Sequence, residues 1–210
     1  MLLWLNGPFG GGKTQTAFEI RRRLPGSVVC DPEEVGFGLH RMTPRGIRGD
    51  FQDFRAWRQG VYEVLDLALS RHPGPVIAPM TVIEPAYFAE TVGRLRERGH
   101  DVRHFALLAE RETVVRRLRE RGLGQIVRLE VVKEGQLRRD SFAMGKLDLC
   151  LERLRGPEFA EHLWTDRITV PQVADRVAAS AGLTLTPNTD GPVRGGLRRV
   201  WTGLRHIRLY

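Results

Sequence analysis

The sequence predicts an α/β fold in which a five-stranded parallel sheet is flanked by helices, and three observations predict it. Apolar runs of strand length alternate with stretches of helical spacing from one end of the chain to the other. A glycine-rich loop, Gly7-Pro8-Phe9-Gly10-Gly11-Gly12-Lys13-Thr14, stands between the first strand and the first helix and satisfies G-x-x-x-x-G-K-[ST]. The fourth apolar run ends in an unbroken Phe105-Ala106-Leu107-Leu108, as expected of a parallel strand covered on both faces.

The first strand is Leu2-Leu3-Trp4-Leu5, and the first helix carries Ala17, Phe18, Ile20 and Leu24 inward before Pro25-Gly26 stops it. Ser27 to Cys30 is a short second strand that delivers Asp31-Pro32 to its carboxyl end. From Glu33 to Asp50 the residues are Gly, Arg and Pro-rich with little period, which predicts an irregular substrate-facing loop. Phe54, Trp57, Val61, Leu65 and Ala68 then recur at helical intervals, and His72-Pro73-Gly74-Pro75 breaks the helix. A third strand over Val76 to Thr81, a helix over Pro85 to Arg98 and a fourth strand over Val102 to Leu108 follow. The helix from Arg111 to Arg121 leads into an irregular, charged stretch, and Lys146 to Arg155 is helical again. A fifth strand at His162 to Thr165 and a helix from Pro171 to Ala181 complete residues 1–182, read as one kinase-like domain with a substrate region at 32–72 and a lid at about 116–145. Residues 183–210 read as a linker and a basic amphipathic helix, with Leu197, Leu204 and Ile207 on one stripe.

The loop motif carries the chemistry. Glycines let main-chain N–H groups close around a polyphosphate, and the helix N-terminus adds its partial positive charge. The phosphate contacts fall to Gly7, Pro8, Phe9, Gly10, Gly11, Gly12, Lys13 and Thr14. Lys13 reaches the β- and γ-phosphates, and the Thr14 hydroxyl ligates Mg²⁺. Only three lysines, Lys13, Lys133 and Lys146, stand among the 33 basic residues, so a lysine at the one position requiring it is informative. The third strand ends in Pro79-Met80-Thr81 and brings no Walker-B acid, which argues against a motor or transporter ATPase. Asp31 is the candidate to accept a proton from an acceptor hydroxyl or to hold Mg²⁺ through water; its alternative use is a turn before Pro32. Arg117 and Arg121, one helical turn apart, are the candidate lid arginines, with Arg138 and Arg139 behind them.

Composition narrows the classes. A formal charge of +8 over 210 residues would suit a polyanion, but the arginines are spread along helices with no interleaved aromatic motif, and nucleic acid is not expected as a partner. Cys30 and Cys150 form no framework and no metal-ligand pattern, so a reducing, cytoplasmic setting is expected. No apolar stretch approaches the roughly 20 residues that span a bilayer. The basic C-terminal helix leaves two uses open, docking on protein or lying on the inner face of the membrane.

Beyond these motifs, the chain resembles the ATP-binding tunicamycin-resistance protein family. The resemblance rests on Leu2 to Glu19, Asp31-Pro32-Glu33-Glu34-Val35-Gly36-Phe37, Pro79-Met80-Thr81, Gly93-Arg94-Leu95-Arg96, Arg117-Leu118-Arg119, Thr165-Asp166 and Leu204-Arg205-His206-Ile207-Arg208. Two departures stand out. Pro8 and Gly11 occupy loop positions where the family has alanine and serine, and the stretch from Gly122 to Ser141 is longer, with Phe142-Ala143 for Trp-Ala. The resemblance implies a nucleoside or nucleotide kinase-like fold, ATP and Mg²⁺ as cofactors, and phosphoryl transfer to tunicamycin or a related nucleoside-like compound. Two other readings stay open at this point: ATP-dependent sequestration of the drug without modifying it, and a housekeeping nucleoside or nucleotide kinase.

Overall fold

The computed structural model describes residues 1–126 and 147–189, with the backbone alone over 121–126. Among the described residues five strands form one sheet in the order β2-β3-β1-β4-β5. They are β1 (Leu2–Asn6), β2 (Val28–Val29), β3 (Val76–Pro79), β4 (Val102–Leu108) and β5 (His162–Trp164), and every pairing is parallel. β1 lies at the centre, in register with Val76 on one side and Val102 on the other through Leu2. All five of its residues are buried, which is why it reads as an apolar run with no polar alternation.

The period of two along each strand divides the core. Leu2 and Trp4, with Val76, Ala78, Val102, Ala106 and Leu108, face α3 (Arg55–Arg71), α4 and α6 (Leu147–Arg153). The helix α4 is built of an α-helical turn Pro85–Phe88, a π-helical stretch Ala89–Gly93 and a further turn Arg94–Glu97. Leu3 and Leu5, with Ile77, Phe105, Leu107 and Leu163, face α1 (Lys13–Arg23) and α7 (Val170–Ser180). The remaining long helix, α5 (Arg111–Ile126), packs Val114 and Leu118 against Leu147 and Leu151 of α6. Helices thus cover both faces of the sheet, and the loop after β1 opens at the carboxyl ends of the strands, where open parallel sheets bind ligands.

Three expectations change. The stretch expected to be irregular contains a helix, α2 (Glu33–Met42), followed by two short 3₁₀ turns. Gly36 and Gly38 hide it in the sequence, yet a Cβ on Gly36 would stand 2.5 Å from the Phe51 ring, so the glycine is there for close packing. Glu33 and Glu34 in its first turn and His40 and Arg41 in its last complement its dipole. The third strand ends at Pro79 and not at Thr81. Over residues 183–189 the chain stays packed. Leu183 and Leu185 join the α1–α7 core, Arg23 Nε donates to the Thr186 carbonyl at 2.7 Å, and Thr186 N returns a bond to the Arg23 carbonyl at 2.8 Å. Most of the expected lid and the whole of the expected C-terminal helix lie outside the described residues. Among the described residues no helix is long and apolar enough to cross a membrane.

Candidate active site

The loop between β1 and α1 folds as the motif demands. Gly12 adopts φ 89°, in the left-handed region, and a Cβ there would meet nothing within 4 Å. No other residue type takes this φ without strain, and the side of the loop beside Gly12 is open. Gly12 also caps α1 without a side chain, so no protein side-chain acceptor closes the first turn of the helix. An anion is the natural complement of such a terminus.

Beneath the loop lies a buried polar floor. The Asn6 amide, wholly buried, donates from Nδ2 to the Val82 carbonyl at 2.7 Å, while its Oδ1 accepts from Gly7 N at 2.9 Å and Val82 N at 3.0 Å. Thr81 Oγ1 donates to the Gly7 carbonyl at 2.7 Å. The ends of β1 and β3 are therefore latched together directly under the first loop residue. Lys13 is buried along its stem, with Nζ donating to the carbonyls of Gly7 at 2.9 Å and Pro8 at 3.0 Å, 5.6 Å from the centre of the Phe9 ring. Cys150 of α6 stands near enough to feel that charge; burial pushes its thiol up to about 11 against the pull of Lys13. The thiol is inert at neutral pH.

Thr14 is half-buried in the first turn of α1. Among the described residues no cluster of three or more His, Cys, Asp or Glu forms a metal cage. The Thr14 hydroxyl is the kind of single protein oxygen that Mg²⁺ takes in phosphate sites, where phosphates and water complete its shell.

Asp31 follows β2, as its sequence position requires. Its Oδ1 accepts from Glu33 N at 3.0 Å, and its carbonyl accepts from Glu34 N at 3.1 Å, so it starts α2. The turn-forming use of Asp-Pro is the one observed at this oxygen. Trp57 Nε1 donates to the Pro32 carbonyl at 3.0 Å and ties the same turn to α3.

Arg117 is employed differently from its expectation as a lid arginine. Its Nη1 donates to Thr165 Oγ1 at 3.0 Å and Nη2 to the Thr165 carbonyl at 2.7 Å, fastening α5 to the loop after β5. Burial lowers its pKa, with Asp166 opposing. For Asp166 burial works the other way, yet Glu110 N, the Thr113 side chain and Arg117 together hold its carboxyl below the ordinary value. Leu118, the next residue of α5, lies within 3.1 Å of where a Gly10 Cβ would be, so this helix walls one side of the loop. The side chain of Arg121, and all of Arg138 and Arg139, lie outside the described residues.

The region 32–72, expected to face substrate, is built of α2, α3 and the turns between them. His40 and Phe37 set their rings edge-on to Phe51, which leans on Trp57 at 5.6 Å between ring centres. His40 Nε2 is buried with no hydrogen-bond partner among the described residues. Beyond this cluster Met42 and Ile47 are exposed, at 84% and 64%. Glu84, at the start of α4, pairs with Arg153 of α6. Sequence reasoning missed Asn6, the floor role of Thr81 and this pair. Only Asn6 left a signal: a polar residue closing an otherwise apolar strand immediately before the loop glycine.

Comparison with known proteins agrees with this architecture. Residues 2–140 match the family model described as an AAA domain. The structure of the tunicamycin resistance protein of Deinococcus radiodurans superposes with a TM-score of 0.70 at 35% identity, covering 89% of this chain and 99% of that one. The fold alone is shared with a sugar kinase from Janibacter sp. (TM-score 0.57, 18% identity, 87% of this chain and 95% of that one). It is shared likewise with a gluconokinase from Sinorhizobium meliloti (TM-score 0.57, 14% identity, 94% and 95%). No curated protein matches. The chain belongs to the AAA-domain P-loop proteins of nucleotide-binding, kinase-like fold, and within them to the tunicamycin resistance protein family.

Proposed function

We propose that the protein is an ATP- and Mg²⁺-dependent phosphotransferase acting on a nucleoside-like small molecule, tunicamycin or a relative of it. The observation that carries the proposal is the loop itself: a glycine loop open beside Gly12 at an uncapped helix start, floored by buried bonds and supplied with one buried lysine. A 35% identical tunicamycin resistance protein supports the choice of acceptor.

In this reading Gly10, Gly11 and Gly12 offer main-chain N–H groups to the phosphates, and Lys13 exchanges its bonds with the Gly7 and Pro8 carbonyls for bonds to the β- and γ-phosphates. Thr14 is the residue that would hold Mg²⁺, which when bound neutralises charge on the transferred group. Asp31 keeps one oxygen on Glu33 N and orients the acceptor hydroxyl with the rest of its carboxylate. Arg117 positions the wall by holding Thr165, and Arg121 is the lid arginine that meets the charge on the transferring group. The acceptor stands against the face formed by residues 32–72.

The capping bond at Asp31 favours one competing reading, in which ATP binding gates sequestration of the drug and no general base is needed. Mass spectrometry of tunicamycin incubated with protein, MgATP and Mg²⁺ decides. Addition of one phosphate supports transfer. Unmodified drug with saturable, ATP-dependent binding overturns it in favour of sequestration, and ADP release with simple nucleosides but not with tunicamycin points to a housekeeping kinase.

A further inference from the structure

Between α3 and α4 lies a cavity of about 370 Å³ lined by Arg55, Arg58, Gln59, Glu90 and Arg94. None of the loop residues from Gly7 to Thr14 contributes to it. Three guanidinium groups against one carboxylate give its lining a formal charge of +2, three minus one. Concentrated like charge of this kind raises the local concentration of anions.

Two of the three arginines, Arg58 and Arg94, are held in place before any ligand arrives. Arg58, whose side chain is only 11% exposed, donates from Nε to Glu90 Oε2 at 2.7 Å and from Nη1 to the Gln52 carbonyl at 2.6 Å, and it lies over the Tyr87 ring at 4.4 Å. Arg94 donates from Nη1 to Gln59 Oε1 at 2.6 Å and stacks on Tyr62 at 3.8 Å. Arg55 makes no ion pair among the described residues. A guanidinium has five N–H donors, so Arg58 and Arg94 keep donors to spare after these bonds. The π-helical stretch Ala89–Gly93 lies where α4 presents Glu90 and Arg94 to α3; such stretches inside helices mark functional sites more often than chance.

We infer that this groove is a second anion site, distinct from the phosphate loop, and that it takes a small phosphomonoester. Planar forks fixed by partners recognise phosphate oxygens bidentately and lose little entropy doing so. The cavity is within the ~300–1,000 Å³ range of small-molecule pockets and exceeds what a bare phosphate ion fills. The Gln59 amide, which accepts from Arg94 and donates from Nε2 to Glu63 Oε1 at 2.6 Å, fixes the Arg94 fork at the edge of the cavity.

Arg55, Arg58 and Gln59 fall within residues 32–72, the region proposed to face the acceptor, but the cavity takes no residue of the phosphate loop, and the experiment keeps the two readings apart. Calorimetry is run on the Lys13→Ala protein, in which the loop is disabled, with glycerol 3-phosphate, inorganic phosphate and glycerol as probes. One saturable equivalent of glycerol 3-phosphate, bound more tightly than inorganic phosphate and with no response to glycerol, is expected. Arg55→Gln and Arg94→Gln each weaken it about tenfold, and Glu90→Gln, which removes the cavity's one carboxylate, strengthens it. Arg55→Gln disturbs no ion pair, so a native circular dichroism spectrum accompanies the loss. Absence of saturable binding, or unchanged affinity in both arginine variants, overturns the site. Inorganic phosphate binding as tightly as the ester overturns the phosphomonoester assignment.

Discussion

The loop side of the candidate site and its α2–α3 side differ in what they are made of and in how firmly they are held. On the loop side the ligand-facing groups are main-chain atoms of a glycine run, and the side chains beneath them, Asn6, Thr81 and Lys13, are buried and bonded to specific carbonyls and amides. On the other side the surface is side chains: an aromatic cluster around Phe51, then Met42 and Ile47 in solvent. A polyphosphate is the same in every nucleotide, so rigid backbone recognises it without cost in reorganisation. An acceptor varies, and side chains on a separate helical layer change without disturbing the sheet. Under the proposed function, the difference would separate a fixed half that binds charge from an adjustable half that selects the molecule.

The sharpest way to break that division is Lys13→Ala. Calorimetry with MgATP is expected to show at least about a 100-fold loss of affinity; retention within a few fold would mean that backbone alone holds the phosphates. Next comes Asn6→Ala, which strands Gly7 N and both polar groups of Val82 in the core and is expected to lower unfolding stability in urea by about 2–4 kcal/mol.

His104 provides a pH test in the apolar layer beneath the acceptor side, where it packs edge-on to Phe88 at 4.7 Å. Burial lowers its pKa to about 4, while its Nδ1 donates to the Ala160 carbonyl. The folded protein prefers the neutral ring and the unfolded chain protonates first, near 6.5. Stability contributed by this group is therefore complete above pH 6.5 and is lost as pH falls toward 4. Urea titrations at a series of pH values should show a shallower decline across that window in His104→Leu than in the parent protein.

Gly36→Ala drives a methyl into the Phe51 ring and is expected to cost about 1–3 kcal/mol, with a raised KM for the acceptor and an unchanged affinity for nucleotide. Smallest are Met42→Ser and Ile47→Ser. Both residues are exposed, so stability should move by less than about 0.5 kcal/mol. An effect of either on nucleotide affinity comparable to that on the acceptor would erase the division between the two sides.

The same division governs what was legible in the sequence. The loop, β1, β3, β4 and α3 could be read because each depends on period or on a spaced motif, and both leave a one-dimensional trace. The helix α2 could not, since its fit to the body depends on Gly36 accepting a ring from a residue fifteen positions later. The Asn6 latch and the Arg117–Thr165 fastening join residues 76 and 48 positions apart, and no local pattern announces a partner at such range. Asp31 shows the remaining ambiguity: Asp-Pro spells a turn and a strand-end carboxylate alike, and only the bond to Glu33 N reveals the first of these.

The strap from Leu183 to Asn188 has a practical consequence. Thr186 binds Arg23 and Asn188 binds Arg22, at the end of α1 farthest from the glycine loop. With 11 residues in that helix, Asn188 is held about 16 Å from the glycine loop. A fluorophore attached at Thr186, on this strap, would thus report on the protein from the end of α1 opposite the loop.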